Sequence, residues 1–411
     1  VPIPQCFRAV SVSNYPYSVS DHWSGSFDET ALRTWVERMR GKLGERPVSL
    51  GLVFMGPRFF PHAEAVLALI KQHGEVPVLA GCSGRRLLCS DRDVEMDAGI
   101  TLCLYSLPGV DLCSISFNQN AWRDEVFSEQ LRTGDRPDRG KINGWLVFME
   151  PFAIDTEQWL EAWRKSHGPV PVLGGLASGL LDDSKTQIYL NETVLEAGGV
   201  AIGVGGAIRL LDIVSQGCTP IGSTWTITGV EGNKILSIGN RPAYDVLKDV
   251  FANLSDEERR NANEILFAGL VVDEYLEDYQ RGDFLIRDIL GADPATGAIE
   301  IGAFPRVGQT LQFQRRDAET AIVDLKGILA RARQEIGDRM VYGGVLCSCN
   351  GRAKALLGNR MEDAAIIREV LGPIGLTGVF CDGEIGPVGK RNYLHGYSAS
   401  LALFVGRATA S

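Results

Sequence analysis

The chain has no apolar run long enough to cross a bilayer. The longest, 197–208, is glycine-rich and ends at Arg209, short of the ~20 residues a helical span needs. Its first residues, VPIPQCF, lack the basic segment and apolar stretch of a secretion signal. Basic runs are also missing. The net charge is −10 and the pI about 5.2, a balance that repels phosphate backbones. Neither a membrane nor a nucleic acid is expected as a partner. Common enzyme signatures are absent: no GxGxxG on a βαβ unit, no G-x-S-x-G, no HExxH and no CxxCH. LGGLASG (173–179) is glycine-rich but lacks the lysine of a phosphate-binding loop. Nucleotide-dependent and c-type haem chemistry therefore have no motif to rest on.

What is present is an ordinary globular balance, 45% apolar and 22% charged, over 411 residues. That length exceeds one ordinary core and implies two or three domains. The 47 glycines fall beside apolar runs, as tight turns after strands would require. There are nine cysteines: Cys6, Cys82, Cys89, Cys103, Cys113, Cys218, Cys347, Cys349 and Cys381. Their odd number and their places inside strand-like runs point to reduced thiols and a cytoplasmic location, not to a disulfide framework.

A unit recurs along the chain. Its first copy is an apolar run SLGLVFMGP (49–57), an amphipathic stretch with Ala63, Val66, Leu67 and Ile70 at helical spacing, and PVLAGCSG (77–84). The second copy is GWLVFMEP (144–151), a helix starting at Asp155 or Thr156 with Trp159, Leu160 and Trp163 on one stripe, and PVLGGLASG (171–179). The third is YGGVLCSCNGR (342–352), EDAAIIREVL (362–371) and LTGVFCDGEIG (376–386). Further apolar runs follow each copy.

Between the second and third copies the pattern changes. Residues 230–250 read as a hairpin-like turn and a helix. LFAGLVVDE (266–274), FLIRDILG (284–291) and TLQFQRRD (310–317) read as strands, and GADPATG (291–297) reads as a turn. Asp317 is placed to cap a helix carrying Ile322, Leu325, Leu329 and Ile336. The expectation is an α/β fold with α+β-like mixed sheets. It forms a two-domain sandwich flanked by helices, divided into residues 1–225 and 226–411.

Several of these segments resemble the FIST family of sensory domains. VSQGCTPIGS (214–223), GNRPAYDVL (239–247), FLIRDILGADPATGAI (284–299), QFQRRDAE (312–319) and DGEIGPVG (382–389) are similar to its C-terminal region. PVLAGCSG and PVLGGLASG are similar to glycine turns of its N-terminal region. The resemblance runs from about residue 8 to 406. It implies intracellular sensing of a small ligand such as an amino acid, or haem in some members. No kinase, DNA-binding or other output domain is visible, so signalling would pass to a separate protein partner.

The candidate site residues follow from turns and polar strand ends. Cys82 and Ser83 lie in the first glycine turn, where backbone amides could face a carboxylate, and Ser178 is their counterpart in the second copy. Cys347 and Cys349 share one side of a strand, with Asn350 and Arg352 at its polar end. Two cysteines so spaced, without a second close pair or a histidine motif, make a poor zinc signature, and no metal is expected. Asp382 and Glu384 sit on a glycine-bounded turn and could bind an amino group or act as a base. His395 could be a ligand contact, a haem ligand or an acid–base group. Arg391 and Arg287 could each hold an anion, and Asp288 faces away from Arg287. Arg315 and Arg316 read as a solvated pair. Three functions compete: a binding module for a small polar ligand, a haem gas sensor, and an enzyme with Cys82 or Cys349 as nucleophile.

Overall fold

A computed structural model describes residues 16–90, 92–94, 99–118, 142–179, 185–256, 266–316, 318–352 and 362–407. Cys6 and the Asp317 cap lie outside them. The expected α/β class with mixed sheets flanked by helices holds, and so does the repeat.

Each copy begins with a leading strand: Leu50–Met55, Ile142–Met149 or Val341–Cys349. A helix follows: Ala63–His73, Thr156–His167 or Asp363–Leu371. A second strand then runs parallel to the first: Leu79–Ser83, Val172–Leu176 or Leu376–Cys381. A return strand, Ile100–Tyr105, Gly199–Gly206 or Ala399–Gly406, pairs antiparallel with the leading strand. In the second copy Asp155 is the helix cap, its carboxylate accepting from the Gln158 amide at 3.0 Å.

The same steric demand marks each second strand. A Cβ on Gly81, Gly174 or Gly378 would lie 1.7, 1.8 or 1.9 Å from the carbonyl oxygen of Val53, Val147 or Leu346. Only glycine lets the two parallel strands approach this closely.

Each copy also gives a short hairpin to another copy's sheet. Leu87–Cys89 with Arg92–Val94 completes the third sheet, 188–195 the first, and 384–395 the second. Outer strands are shared too. Val110–Phe117 joins the second sheet and Ile208–Ser215 the third, while Ser18–Trp23 fills that place in the first. All three sheets thus read outer, return, leading, second strand, hairpin. The exchange is cyclic.

Alternation sets the layers. Leu52 and Phe54, Leu146 and Phe148, and Val345 and Cys347 face one common core. The intervening residues face the helices: Val53 and Met55 meet Val66 and Ile70, and Val147 and Met149 meet Trp159 and Trp163. The third sheet is covered by the last helix and by Ala318–Ile336, whose Leu325, Leu329 and Ile336 are buried.

The second body is inserted between Ser215 and Ala318. Six antiparallel strands close on themselves, because Thr310–Arg316 pairs with both Trp225–Glu231 and Leu266–Val271. The helix Ala243–Ala252 seals its apolar interior through Ala243 and Val246. The turn at 294–297 is held by Asp293, which accepts from the Ala295 amide and the Thr296 hydroxyl.

Candidate functional site

The three strand ends that carry the glycine turns meet and close on each other. The Ser178 amide donates to the Ser83 carbonyl and the Asp382 amide to the Leu176 carbonyl, both at 3.2 Å. The third link is the Phe380 amide donating to the Arg86 carbonyl at 3.0 Å, and Ser178 adds a side-chain bridge: the Arg85 amide donates to Ser178 Oγ at 3.0 Å, and Ser178 Oγ donates to the Phe380 carbonyl at 2.7 Å. Ser83 Oγ donates to the Ser178 carbonyl and accepts from the Gln187 amide. The Ser83 and Gly84 amides go to the Gln187 and Met55 carbonyls. These groups are spent on joining the copies. Cys82 lies in the common core, and burial pushes its thiol well above the usual range.

Asp382 and Asn350 lie at the edge of this junction. Asn350 Nδ2 donates to the Cys381 carbonyl at 3.0 Å and to Asp382 Oδ1 at 2.8 Å, and Arg85 pairs with the same carboxylate.

Glu384 is different in kind. The hairpin registers pair Leu87 with Val379, Ile188 with Cys82 and Glu384 with Gly175. Glu384 therefore occupies the place of Leu87 and Ile188, a fully buried aliphatic position in the other two copies. Its cross-strand partner His395 likewise occupies the place of Val94 and Leu195. Other polar exchanges surround them. Ser348 stands where Met55 and Met149 stand. Ser398 takes the place of Gly99 and Gly198, since their carbonyls accept from the equivalent Cys349, Gly56 and Glu150 amides. One copy has replaced apolar packing with a polar cluster.

Within that cluster Glu384 Oε2 accepts from the Ser398 amide at 3.1 Å and the Ser398 hydroxyl at 3.0 Å, while Oε1 has no partner. Burial outweighs these bonds and pushes its pKa up to about 8, so the carboxyl is mostly protonated at neutral pH. Cys349 lies beside it and accepts from the Gly351 amide at 3.4 Å. Burial and the Glu384 charge push its thiol up to about 12. His395 Nε2 contacts the Gly386 carbonyl at 3.0 Å, Nδ1 has no partner, and burial pulls its pKa down to about 4.

Arg352 is fully buried at the end of the leading strand. It grips Asp363 with Nε and Nη2 at 3.0 and 2.9 Å, and Ser348 Oγ donates to the same carboxylate at 2.9 Å. Burial opposes its charge, but Asp363 more than offsets this and its pKa is raised. Arg352 Nη1 stays unpartnered. Close by is Arg316, and here the sequence expectation needs correcting. Arg316 is 5% exposed, not solvated, with its guanidinium 3.8 Å from the Tyr397 ring centre and 4.7 Å from that of Phe267. Strand alternation sends neighbouring residues to opposite faces, so Arg315 and Arg316 cannot share one environment. Arg316 Nε and Nη1 have no partner, and burial lowers its pKa. Arg316 comes from the inserted body and Arg352 from the three-sheet body, so the cluster lies where the two meet.

Arg287 and Arg391 are brought together elsewhere on that seam, beside the helix Thr156–His167. Arg287 Nη2 pairs with Glu157 at 2.9 Å and Arg391 Nη2 with Glu161 at 3.4 Å. Asp288 neighbours Arg287 on its strand. Among the described residues, no group of three or more His, Cys, Asp or Glu side chains is placed to hold a metal ion.

Reading residues singly missed Arg316, Ser348, Asp363, Tyr397 and Ser398. Aligning the three copies would have exposed most of them, because a polar residue at an apolar repeat position carries the signal.

Comparison with known proteins gives the family. The FIST N domain matches residues 49–241 and the FIST C domain residues 243–387. The uncharacterized protein Mb0898c of Mycobacterium bovis is 36% identical over 362 residues, covering 88% of this chain and 92% of that protein. The uncharacterized protein MT0656 of Mycobacterium tuberculosis is 36% identical over 340 residues, covering 83% and 87%. Two adjoining matches that span most of the sequence, together with these relatives, make the chain a member of the FIST family, whose general role is sensory signal transduction.

Proposed function

We propose that this protein is a cytoplasmic sensor that binds a small polar metabolite of amino-acid type in the Glu384 cluster and signals through a separate protein partner. The observation that carries the reading is Glu384 itself. A fully buried carboxyl with a partnerless oxygen, at a position filled by Leu87 and Ile188 in the sister copies, costs stability. A ligand amino group would repay that cost by donating to Oε1. The unpartnered nitrogens of Arg316 and Arg352 suit the ligand's carboxylate. A ligand bridging these arginines links the inserted body to the three-sheet body, so occupancy would bias their relative placement. The unpaired state of the eight described cysteines fits a reducing compartment, and no described helix is long and apolar enough to cross a membrane.

The other readings find less support. Cys349, held as a thiol with its pKa up to about 12, is a weak nucleophile. His395 is 3% exposed with Nε2 taken by the Gly386 carbonyl, so it does not fit haem as an axial ligand.

The test is calorimetric titration of the amino acids at pH 7 in two buffers of different ionisation enthalpy. A ligand ammonium that ionises Glu384 releases close to one proton, and the observed heat then depends on the buffer. Glu384→Gln should abolish that dependence and weaken binding at least tenfold, the loss of ~1.4 kcal/mol or more. No binding across the amino acids and their keto-acid counterparts, or binding untouched by Glu384→Gln and Arg316→Met, would refute the proposal.

A further inference from the structure

A recess of about 280 Å³ opens between the helix Thr156–His167, the tip of the hairpin 384–395 and the inserted body. It is separate from the Glu384 cluster and has its own chemistry. Its floor cation is Arg287, 9% exposed, whose Nη1 bonds the Ile286 carbonyl. Its carboxylate partner Glu157 has a side chain 63% exposed. One helical turn on, Glu161 holds both Arg164 and Arg391 at the rim. Three arginines face two glutamates, an excess of one positive charge. The remaining wall is mixed: Leu160 and Leu270 are buried and Phe304 stands 84% exposed, with Gln309, Asn392 and Tyr393 beside them.

We propose that this recess binds a small monocarboxylate with an apolar body, which takes Glu157's place on Arg287. The arrangement favours displacement. A deep guanidinium needs a carboxylate, and the one it has belongs to a solvent-facing side chain that loses little by returning to water. An incoming carboxylate gives Arg287 Nη2 the same charge-assisted bond that Glu157 made and lays its apolar part along Leu160, Leu270 and Phe304. Hydrophilic anions such as phosphate match the arginines but not the wall. Glu157 thereby acts as a built-in competitor that sets the threshold for occupancy.

The test uses benzoate, with benzamide as its uncharged twin and phosphate as its hydrophilic counterpart, followed by titration calorimetry on the full chain. Benzoate should bind, and benzamide and phosphate should not. Glu157→Gln, which removes the competitor, should bind benzoate about tenfold tighter, and Arg287→Met should lose binding by at least that factor. Glu384→Gln should leave benzoate affinity unchanged, which separates this site from the one proposed above. The proposal is overturned if benzoate fails to saturate both the natural chain and Glu157→Gln at millimolar concentration. It is equally overturned if Glu157→Gln weakens binding, if benzamide or phosphate binds as well as benzoate, or if Glu384→Gln abolishes the effect.

Discussion

Glu384 and His395 face each other across one hairpin ladder, and burial drives both towards the neutral form. Their effects on stability have opposite signs. The folded carboxyl keeps its proton up to about pH 8, whereas the unfolded one loses it near 4.5. Its contribution is complete below 4.5 and is lost as pH rises to about 8. Folded His395 stays neutral down to about pH 4, whereas the unfolded imidazole charges near 6.5. Its contribution is present above 6.5 and is lost as pH falls to about 4. At ~1.4 kcal/mol per pH unit for one proton, the two cancel between 4.5 and 6.5. The natural chain should then lose on the order of 2 kcal/mol between pH 6.5 and 8. In Glu384→Leu the histidine acts alone. Relative to the background of other groups, stability should rise by ~3 kcal/mol from pH 4 to 6.5 and then stay level. In His395→Leu the carboxyl acts alone, and stability should fall by ~5 kcal/mol from pH 4.5 to 8. Urea unfolding at half-unit steps from pH 4 to 9 measures this. Subtracting each variant from the natural chain removes the background. A difference between the natural chain and Glu384→Leu that does not change with pH across 4.5 to 8 would show that Glu384 is not held neutral by burial.

Three further outcomes are expected. Alanine at Gly81, Gly174 or Gly378 should cost about 3 kcal/mol or more by forcing the parallel strands apart. Gly41→Ala, in a helix with open space around it, should stabilise by about 0.5–1 kcal/mol; denaturation midpoints that fail to separate these groups would contradict the close-approach argument. Ser178→Ala should cost ~1–3 kcal/mol, because the Arg85 amide loses its partner and the Phe380 carbonyl keeps only the 3.5 Å contact from Asn350 Nδ2, and an unchanged midpoint would argue against its bridging role. Cys349 should resist iodoacetamide at pH 7.5 in the folded protein and react on unfolding. Labelling in the native state as fast as in urea would show that the thiol is not shielded.

The repeat was legible because each leading and second strand carries a contiguous apolar run, and the Pro-Val-Leu turns mark two of them. The swapped hairpins were not. Leu87–Cys89 and Ile188–Leu190 are three residues long, too short for a period, and their partners lie in other copies. That hid the equivalence of Glu384 with Leu87 and Ile188, although Glu384 stood out by its glycine-bounded turn. Arg316 was misread because a charged pair at a strand end looks solvated until a second body covers one face. Arg287 and Arg391 were singled out for their charge, but only tertiary pairing reveals their shared recess and the glutamates that occupy them.

The traded hairpins also govern how the chain matures on the ribosome. The first sheet has no finished edge until residues 188–195 emerge, and the second waits for 384–395. The strand Leu87–Cys89 is made early, yet the Thr377 hydroxyl that donates to the Leu88 carbonyl lies 289 positions further along the chain. Nascent sheets therefore wait with open edges, the condition that invites wrong pairing and favours chaperone engagement. A premature stop before residue 384 would strip strands from two sheets at once. Nonsense or frameshift lesions late in the coding sequence should thus be as damaging as early ones.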